Sequence, residues 1–368
     1  MKHYIYQLMT DQRKGFTASV CKILLLILSF ISAVVVRSTR ALYEWGILPS
    51  YRSLKPVISV GNITVGGTGK TPLVILVTNI LRSAGLRPAV LSRGYGSTRP
   101  ERSRRTRSPQ ALRMAASEVY GDEPKMMAEI LPGVPILVGA NRAASIRAAI
   151  RAGGADIFVC DDAFQHWPLK RDLDIVAVDA LNPFGNGCVL PRGILREPLC
   201  GLKRAHIAVI TRADRDPGGT ADLRRRLRQM NHDMLIVESV HQPLGLSGVY
   251  DHAFLGLDIL RGKKVAAFCA IADPEAFGDS LARAGAQVVR RFDFMDHHVY
   301  SVADMSTIRD FCRANDIDTV VTTHKDAVKI NDRANVWEEI KVARLNIGLT
   351  ITHGNEQFIQ RILSACRP

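Results

Sequence analysis

The side chains with the clearest chemical potential lie in a glycine-rich turn that joins two apolar segments. Residues 57–60 form a mainly β-branched run, and residues 73–81 repeat leucine, isoleucine and valine at helical spacing. The turn ends in Gly69, Lys70 and Thr71, an order of strand, loop and helix that is typical of a phosphate-binding loop. Glycines let backbone N–H groups converge on an anion at the positive end of the helix dipole. The sequence therefore predicts a nucleoside triphosphate site.

The roles within this loop follow from the chemistry of ATP. We expect Lys70 to reach the β- and γ-phosphates and the Thr71 hydroxyl to bind Mg²⁺. The strict loop pattern has glycine where this chain has Thr64. The alternative interpretation is that the glycines only allow tight packing before the helix. The predicted ATP-binding residues are Thr64, Val65, Gly66, Gly67, Thr68, Gly69, Lys70 and Thr71.

An acidic pair at the end of an apolar strand is the second candidate element. Residues 156–160 read Asp-Ile-Phe-Val-Cys and run directly into Asp161 and Asp162. In phosphate-loop enzymes such a carboxylate holds Mg²⁺ directly or through water. Two aspartates that only cap a turn are the alternative. Because this pair and the glycine loop complete one site, we predict ATP and Mg²⁺ as cofactors.

Single polar residues elsewhere give weaker signals. Arg93 follows a buried-type strand, at the sheet edge where ligands bind in parallel α/β folds. Asp122 opens a helix and has helix capping as its alternative role. His166 is a lone histidine, which is more often packed than catalytic. Arg196 and Glu197 lie in a long loop, where they suit phosphate clamping and metal positioning or a plain helix-capping ion pair.

Strands alternate with helices along most of the 368 residues. This order predicts an α/β fold, a P-loop NTPase-like doubly wound sheet with an N-terminal membrane-associated helix and a second, smaller α/β domain. We place the domain boundaries at 1–40, 41–240 and 241–368. Turn residues between His241 and Tyr250 predict a linker there.

The charge and the cysteines restrict the class of protein. A net charge of +14 predicts an anionic partner, and seven scattered cysteines favour a reducing compartment without structural zinc. A nucleic-acid ATPase is one alternative, but the 6 % aromatic residues are not interleaved with the arginines of the basic loop at 99–113. A membrane-associated GTPase switch is another, because Thr211-Arg-Ala-Asp214 weakly resembles a guanine-reading motif.

Near the N-terminus, residues 23–36 carry no charge and are flanked by Lys22 and Arg37. A spanning helix needs about 20 apolar residues, so this run of fourteen is short. A cleaved signal peptide, a full span and a buried helix are the alternatives. We favour a helix in the membrane interface, because basic residues flank the run.

Seven motifs in order along the chain resemble those of the tetraacyldisaccharide 4′-kinases of lipid A biosynthesis. Thr64 is ordinary in that family. The motifs are Gly61-Asn-Ile-Thr-Val-Gly-Gly-Thr-Gly-Lys-Thr-Pro72, Ser92-Arg-Gly-Tyr-Gly96, Gly121-Asp-Glu-Pro124, Asp161-Asp-Ala-Phe-Gln-His166, Leu195-Arg-Glu-Pro198, Asp296-His-His298 and Lys325-Asp-Ala-Val-Lys329.

The resemblance implies ATP-dependent phosphorylation of the 4′-hydroxyl of an acylated disaccharide 1-phosphate. It implies a peripheral or monotopic enzyme on the cytoplasmic face of the inner membrane, and we expect a monomer that binds no nucleic acid. Asp122 would be the base, oriented by His297. The remaining implied site residues are Lys70, Thr71, Asp161, Asp162 and Glu197 for phosphate and Mg²⁺, with Gln165, His166, Arg196 and Arg93 near the substrate.

Three departures from the family pattern affect local contacts. Ala163 stands where glycine is usual, and Ala270-Ile-Ala-Asp-Pro274 replaces a more glycine-rich stretch. His324 stands where the family has glutamate. The last two departures concern the predicted second domain rather than the phosphate site.

Overall fold

The computed structural model describes residues 7–93, 121–271, 273–296, 298–330 and 334–366. The helices named α1 to α9 in chain order are Phe16–Glu44, Lys70–Ser83, Asp122–Ile130, Arg142–Arg151, Pro217–Met230, Pro274–Arg283, Val302–Ala314, His324–Ile330 and Asn355–Ser364. The strands β1 to β12 are Val57–Asn62, Pro88–Ser92, Ile136–Val138, Ile157–Asp161, Leu173–Asp179, Ile207–Thr211, Leu235–Gly248, Phe254–Leu255, Lys264–Cys269, Gln287–Asp293, Thr319–Thr323 and Lys341–His353.

All strands of the described residues belong to one sheet. Their order is β10-β9-β11-β12-β7-β6-β5-β1-β4-β2-β3, with β8 paired to β7. Neighbouring strands are parallel except where β7 meets β12 and β8. Parallel strands need crossover connections, and the helices supply them and cover the sheet on both faces. The α/β prediction is confirmed.

Alternate side chains of β1 point to opposite faces of the sheet and pack in different core clusters. Ile58 and Val60 pack in the cluster that contains Leu73 of α2, whereas Val57 packs in the cluster that contains Ile146 of α4. Every residue of β1 is buried. The apolar run of the sequence is therefore a central strand, and its end is held rigidly at the edge where the glycine loop begins.

The first eight residues of the predicted linker at 241–250 belong to β7, and a role of this segment in joining two domains stays a prediction. This strand pairs with β12 along most of its length, and the register shifts opposite Gly245 and Pro243. Glycine and proline are tolerated in strands at such irregularities. The turn residues of the sequence thus mark a distorted strand, and the predicted boundary at residue 240 falls inside it.

We call the described residues between 51 and 234, built on β1 to β6, the first lobe, and the described residues between 249 and 340, built on β8 to β11, the second lobe; β7 and β12 are shared. The end of β12 returns to the first lobe. As a result α9 packs there, with Phe358 and Ile362 in the same core cluster as Leu73. The last helix was predicted as part of a C-terminal domain, but its buried side chains lie in the first lobe's core.

Helix α1 is longer than the apolar run of residues 23–36, which by itself is short for a membrane span. It has 29 residues, because no glycine or proline interrupts the flanking segments. By length and composition it could cross a membrane. Its exposed apolar side chains include Phe16, Val20, Ile23, Leu24, Leu26, Ile27, Leu28, Phe30, Ile31, Val34 and Val35. Such a surface fits membrane association.

Candidate functional site

A cleft between the two lobes contains most of the predicted site residues. Its volume is about 1480 Å³, and both lobes line it. Typical small-molecule pockets have volumes of roughly 300–1000 Å³. The glycine loop follows β1, and Ser92 and Asp161 end the neighbouring strands β2 and β4. The cleft therefore lies at the carboxyl edge of the parallel sheet and has room for a nucleotide and part of a second substrate.

The glycine loop is held in place by strands beneath it. The Asn62 side-chain amide donates to Thr68 Oγ1 at 2.9 Å, and the Thr211 hydroxyl donates to the Thr68 carbonyl at 3.1 Å. Gly69 has φ of +80°, and a Cβ there would lie 3.2 Å from the His241 ring. Only glycine suits both the left-handed backbone and this close approach. The loop is thus shaped by the protein before any anion binds.

Lys70, Asp162 and Arg196 form a charged cluster on the cleft wall. Lys70 Nζ lies 3.8 Å from Asp162 Oδ1, and Arg196 Nη1 donates to both carboxylate oxygens of Asp162 at 2.8 Å. Burial lowers the pKa of Lys70. Burial alone would raise the pKa of Asp162, but the charges of Lys70 and Arg196 outweigh it and lower that pKa. Two cations thus face the region where phosphates would bind.

Asp161 has an incompletely satisfied carboxyl group. Its side chain is buried, the Ser92 hydroxyl donates to Oδ2 at 3.3 Å, and Oδ1 has no hydrogen-bond partner among the described residues. Burial, together with the charges of Glu123 and Asp162, raises the pKa of Asp161 to about 7. A cation at Oδ1 would relieve this cost.

The donor set of the cleft suits Mg²⁺ bound jointly with a nucleotide. Asp161 and Thr71 both line the cavity. No group of three or more His, Cys, Asp or Glu residues with metal-binding geometry occurs in the described ranges. Mg²⁺ is commonly held by one or two protein oxygens, with waters and substrate phosphates completing its shell. The residues present fit that pattern.

Asp122 is the first residue of α3, and it lines the same cleft as Lys70. Lys329 of the second lobe places Nζ 4.0 Å from Asp122 Oδ2. His297, the predicted partner of Asp122, lies outside the described residues. Its neighbour Asp296 lines the cavity and accepts a hydrogen bond from Lys325 Nζ at 3.0 Å. The structure therefore brings Asp122 to the phosphate loop and leaves the His297 role a prediction.

Glu197 does not line the cleft, although the sequence analysis predicted it as a metal ligand. It is 1 % exposed and pairs with Arg204 at 2.5 Å. Gln165, predicted to contact substrate, is also outside the lining, and its amide donates to Glu197 Oε1 at 2.8 Å. An arginine that already neutralises the carboxylate removes its need for a cation. In this structure Glu197 belongs to a buried ion pair, and its predicted role in metal binding stays a prediction.

Three further predicted residues, Thr64, Val65 and His166, are not among those that line the cleft. Thr64 is buried, and the Val65 amide donates to the Ile194 carbonyl at 2.8 Å, so both anchor the start of the glycine loop. Burial lowers the pKa of His166 to about 4, so this side chain is neutral near pH 7. Arg93, by contrast, lines the cleft and is exposed to it.

Sequence reasoning missed Arg142 as a site residue. Its guanidinium is buried in the first turn of α4 and donates to the main-chain carbonyls of Asp161 and Asp162, the latter at 3.1 Å. It fixes the turn in which Asp162 adopts a left-handed φ of +50°. The sequence did contain a signal for this residue, because Arg142 stands at the start of a helix that follows a strand of the sheet.

The weak guanine-reading motif has other partners. Asp214 accepts a hydrogen bond from Arg283 of the second lobe at 3.1 Å, and Thr211 supports the glycine loop. Arg212 pairs with Asp179 and Asp273. These contacts give the side chains of the motif structural roles that do not require a bound guanine.

Comparison with known proteins agrees with this geometry. The family model described as tetraacyldisaccharide-1-P 4′-kinase matches residues 21–367. The chain belongs to the tetraacyldisaccharide 4′-kinase family. A 4′-kinase from Anaeromyxobacter sp. (strain K) is 41 % identical over 311 residues, which cover 84 % of this chain and 82 % of that protein. One from Halothermothrix orenii is 40 % identical over 332 residues and 86 % of each chain.

A solved structure of the 4′-kinase family has the same architecture. The crystal structure of LpxK from Aquifex aeolicus in complex with ATP matches with a TM-score of 0.72 at 27 % identity, covering 94 % of this chain and all of that one. The family resemblance inferred from the seven motifs is therefore confirmed over nearly the whole of this chain.

Proposed function

We propose that this protein is a lipid kinase that transfers the γ-phosphate of ATP to the 4′-hydroxyl of a tetraacylated disaccharide 1-phosphate, a step of lipid A biosynthesis. The observation that carries the proposal is one cleft, in a chain of the 4′-kinase family, lined by both Lys70 and Asp122. Phosphoryl transfer requires positioning and charge neutralisation rather than covalent catalysis. A phosphate loop and a carboxylate that line the same cleft provide both.

In this mechanism the glycine loop holds the phosphates, and Lys70 and Arg196 neutralise their charge. Asp122 accepts the proton of the 4′-hydroxyl while the hydroxyl oxygen bonds to the γ-phosphorus and the bond to the leaving ADP breaks. His297 is proposed to orient Asp122, and Arg93 to contact the acceptor. Closure of the second lobe keeps water from competing with the lipid hydroxyl.

Thr71 and Asp161 are the residues that would hold Mg²⁺. When bound, Mg²⁺ supplies positive charge to the β- and γ-phosphate oxygens. Within the described part of the chain, the buried Oδ1 of Asp161 has no hydrogen-bond partner and is available to a cation. Asp162 is proposed as the second acid of the pair, with Lys70 and Arg196 holding its carboxylate in place.

We propose further that α1 lies in the interface of the inner membrane on its cytoplasmic face, where ATP is available. The Ser29 hydroxyl, in the middle of α1, donates to the Val189 carbonyl of the first lobe at 2.6 Å. Lys22 pairs with Asp11, which in turn pairs with Arg192, each at 2.7 Å. A helix crossing the roughly 30 Å hydrocarbon core could not keep its middle turns on the protein body. A monotopic monomer fits these contacts.

The function is tested by supplying γ-labelled ATP with acceptor lipids. We expect label in the disaccharide 1-phosphate and none in the same lipid already phosphorylated at the 4′ position. Excess unlabelled ATP should suppress labelling more than excess GTP. Absence of label in every disaccharide acceptor, or selective suppression by GTP, would overturn the proposal.

The membrane placement is tested by changing the exposed face of α1. Replacing Leu24, Ile27 and Ile31 by serine should release the protein from vesicles in a flotation assay, because these side chains are more than half exposed on one helix face. The contact of Ser29 is left intact. A matched control, Val289→Ser, changes an exposed apolar residue of β10 and should float like the unmodified protein. Flotation of the triple variant would place the anchor elsewhere.

A further inference from the structure

Helix α3, which carries Asp122, is held from the second lobe by one face of α8. Asp122 faces Lys329 at 4.0 Å, Lys125 Nζ donates to the Val328 carbonyl at 2.9 Å, and Glu129 Oε2 lies 3.1 Å from His324 Nε2. Positions 122, 125 and 129 share one face of a helix. Their partners run backwards along α8, so the two helices pack antiparallel.

The contact between α3 and α8 is strongly charged at the end where Glu129 meets His324. Arg344 of β12 also donates to Glu129. Burial alone would raise the pKa of Glu129, but its hydrogen bonds to His324 and Arg344 outweigh burial and lower that pKa to about 2. Glu129 is therefore ionised and paired at neutral pH. The contact between α3 and α8 thus has a defined register, with the pair of Asp122 and Lys329 at one end and the pair of Glu129 and His324 at the other.

Lys329 is itself tightly held. Its side chain is 8 % exposed, and its ammonium donates to Asp326 Oδ1 at 3.0 Å. Asp326 is fully buried, and its Oδ2 accepts from the Ala270 amide at 2.9 Å and from the Thr323 hydroxyl at 2.7 Å. An ammonium group has three donors, so the bond to Asp326 leaves donors available on the side of Asp122.

We propose that Lys329 is a positioning residue for the phosphoryl-transfer reaction: the second lobe uses its ammonium to orient the Asp122 carboxylate toward the acceptor hydroxyl. This inference rests on the proposed function. Lys329 is absent from the residues that line the cleft, so it acts on the substrate through Asp122. Correct orientation of the base then requires that α8 is docked on α3.

The alternative role of Lys329 is purely structural, as the partner of buried Asp326. Lys329→Met alone would leave that carboxylate unpaired and could unfold the second lobe. The double variant Lys329→Met with Asp326→Asn removes both charges and keeps side chains of similar shape. It therefore leaves no unpaired charge buried in the second lobe. Lys329→Arg keeps the charge near Asp122.

The experiment measures kcat, the KM for ATP and nucleotide affinity for the full-length protein with the lipid acceptor. We expect the double variant to lose about 10- to 100-fold in kcat, because small misplacements of a reacting group have effects of this size. Its nucleotide affinity should stay within about threefold of the unmodified protein. Lys329→Arg should recover part of the lost rate.

Lys263→Met provides a matched control. It removes a second-lobe lysine from an ion pair, with Asp318 at 3.0 Å, outside the cleft lining, and should leave kcat unchanged. A folded double variant with unmodified kcat would overturn the inference and leave the proposed function standing. An equal loss in Lys263→Met would also overturn it. Unmodified protein that labels no acceptor would instead overturn the function, and the inference with it.

Discussion

The two sides of the cleft are held in place by different parts of the chain. The glycine loop is supported by Asn62 and Thr211, on strands of the first lobe. Helix α3, which begins with Asp122, packs on the first lobe through Met127, in the same core cluster as Leu73, and its other face contacts Lys329 and Val328 of the second lobe. One side is therefore formed within the first lobe, and the other is in contact with both lobes.

This difference separates nucleotide binding from placement of the base. A phosphate site that needs only the first lobe can bind ATP while the cleft is open. Under the proposed mechanism, Asp122 is oriented from the second lobe and becomes effective as a base when the cleft closes. Such an order limits transfer of the phosphate to water, because the base is misplaced until the lipid acceptor is enclosed.

Asp122→Asn should give the largest change in rate. Removal of a general base typically costs about 10²- to 10⁴-fold, and the amide keeps the shape of the side chain. Because the change keeps the shape of the side chain and the hydrogen bonds under the loop come from Asn62 and Thr211, nucleotide affinity should be unchanged. Rate measurement by lipid labelling and affinity measurement with a fluorescent ATP analogue separate the two quantities. A parallel loss of nucleotide affinity would contradict the division of the cleft into two sides.

Lys70→Met should lower kcat by about 10²- to 10³-fold, because it removes a cation that stabilises charge on the transferred group. Unlike Asp122→Asn, it should also weaken nucleotide binding, since Lys70 lies in the preformed loop. Lys170→Met, an exposed first-lobe change outside the cleft, serves as the control for charge removal. Unaltered nucleotide affinity in Lys70→Met would show that the loop contributes to transfer alone.

The smallest effect is expected at the ion pairs that cross the other end of the cleft. Arg215 of the first lobe pairs with Asp279 of α6. Partly exposed pairs contribute about 0–1 kcal/mol, so Arg215→Glu should lower kcat by at most about fivefold and make it more sensitive to salt. Adding Asp279→Arg should restore the rate by reversing the pair. If the reversed pair stays as slow as the single variant, these contacts do not hold the lobes together.

Local patterns predicted the glycine loop and the acidic pair because each is contiguous in the chain. Gly66 to Thr71 and Asp161 to Asp162 follow buried strands, and parallel strands end at one sheet edge. The Glu197 prediction had a different outcome. Its partner Arg204 is seven residues away in a short 3₁₀ segment, and nothing in the spacing indicated that the arginine would turn back onto it.

By itself the sequence determined the α/β class, the phosphate loop, the apolar helix and, through its ordered motifs, the family, since short-range order and side-chain chemistry define these features. Tertiary structure decided which second-lobe groups contact α3, where α9 packs and which groups of the first lobe α1 contacts. Asp122 and Lys329 are separated by most of the chain and meet only because β7 and β12 join the lobes in one sheet. Contacts of that kind depend on strand pairing between distant segments, which residue spacing does not encode.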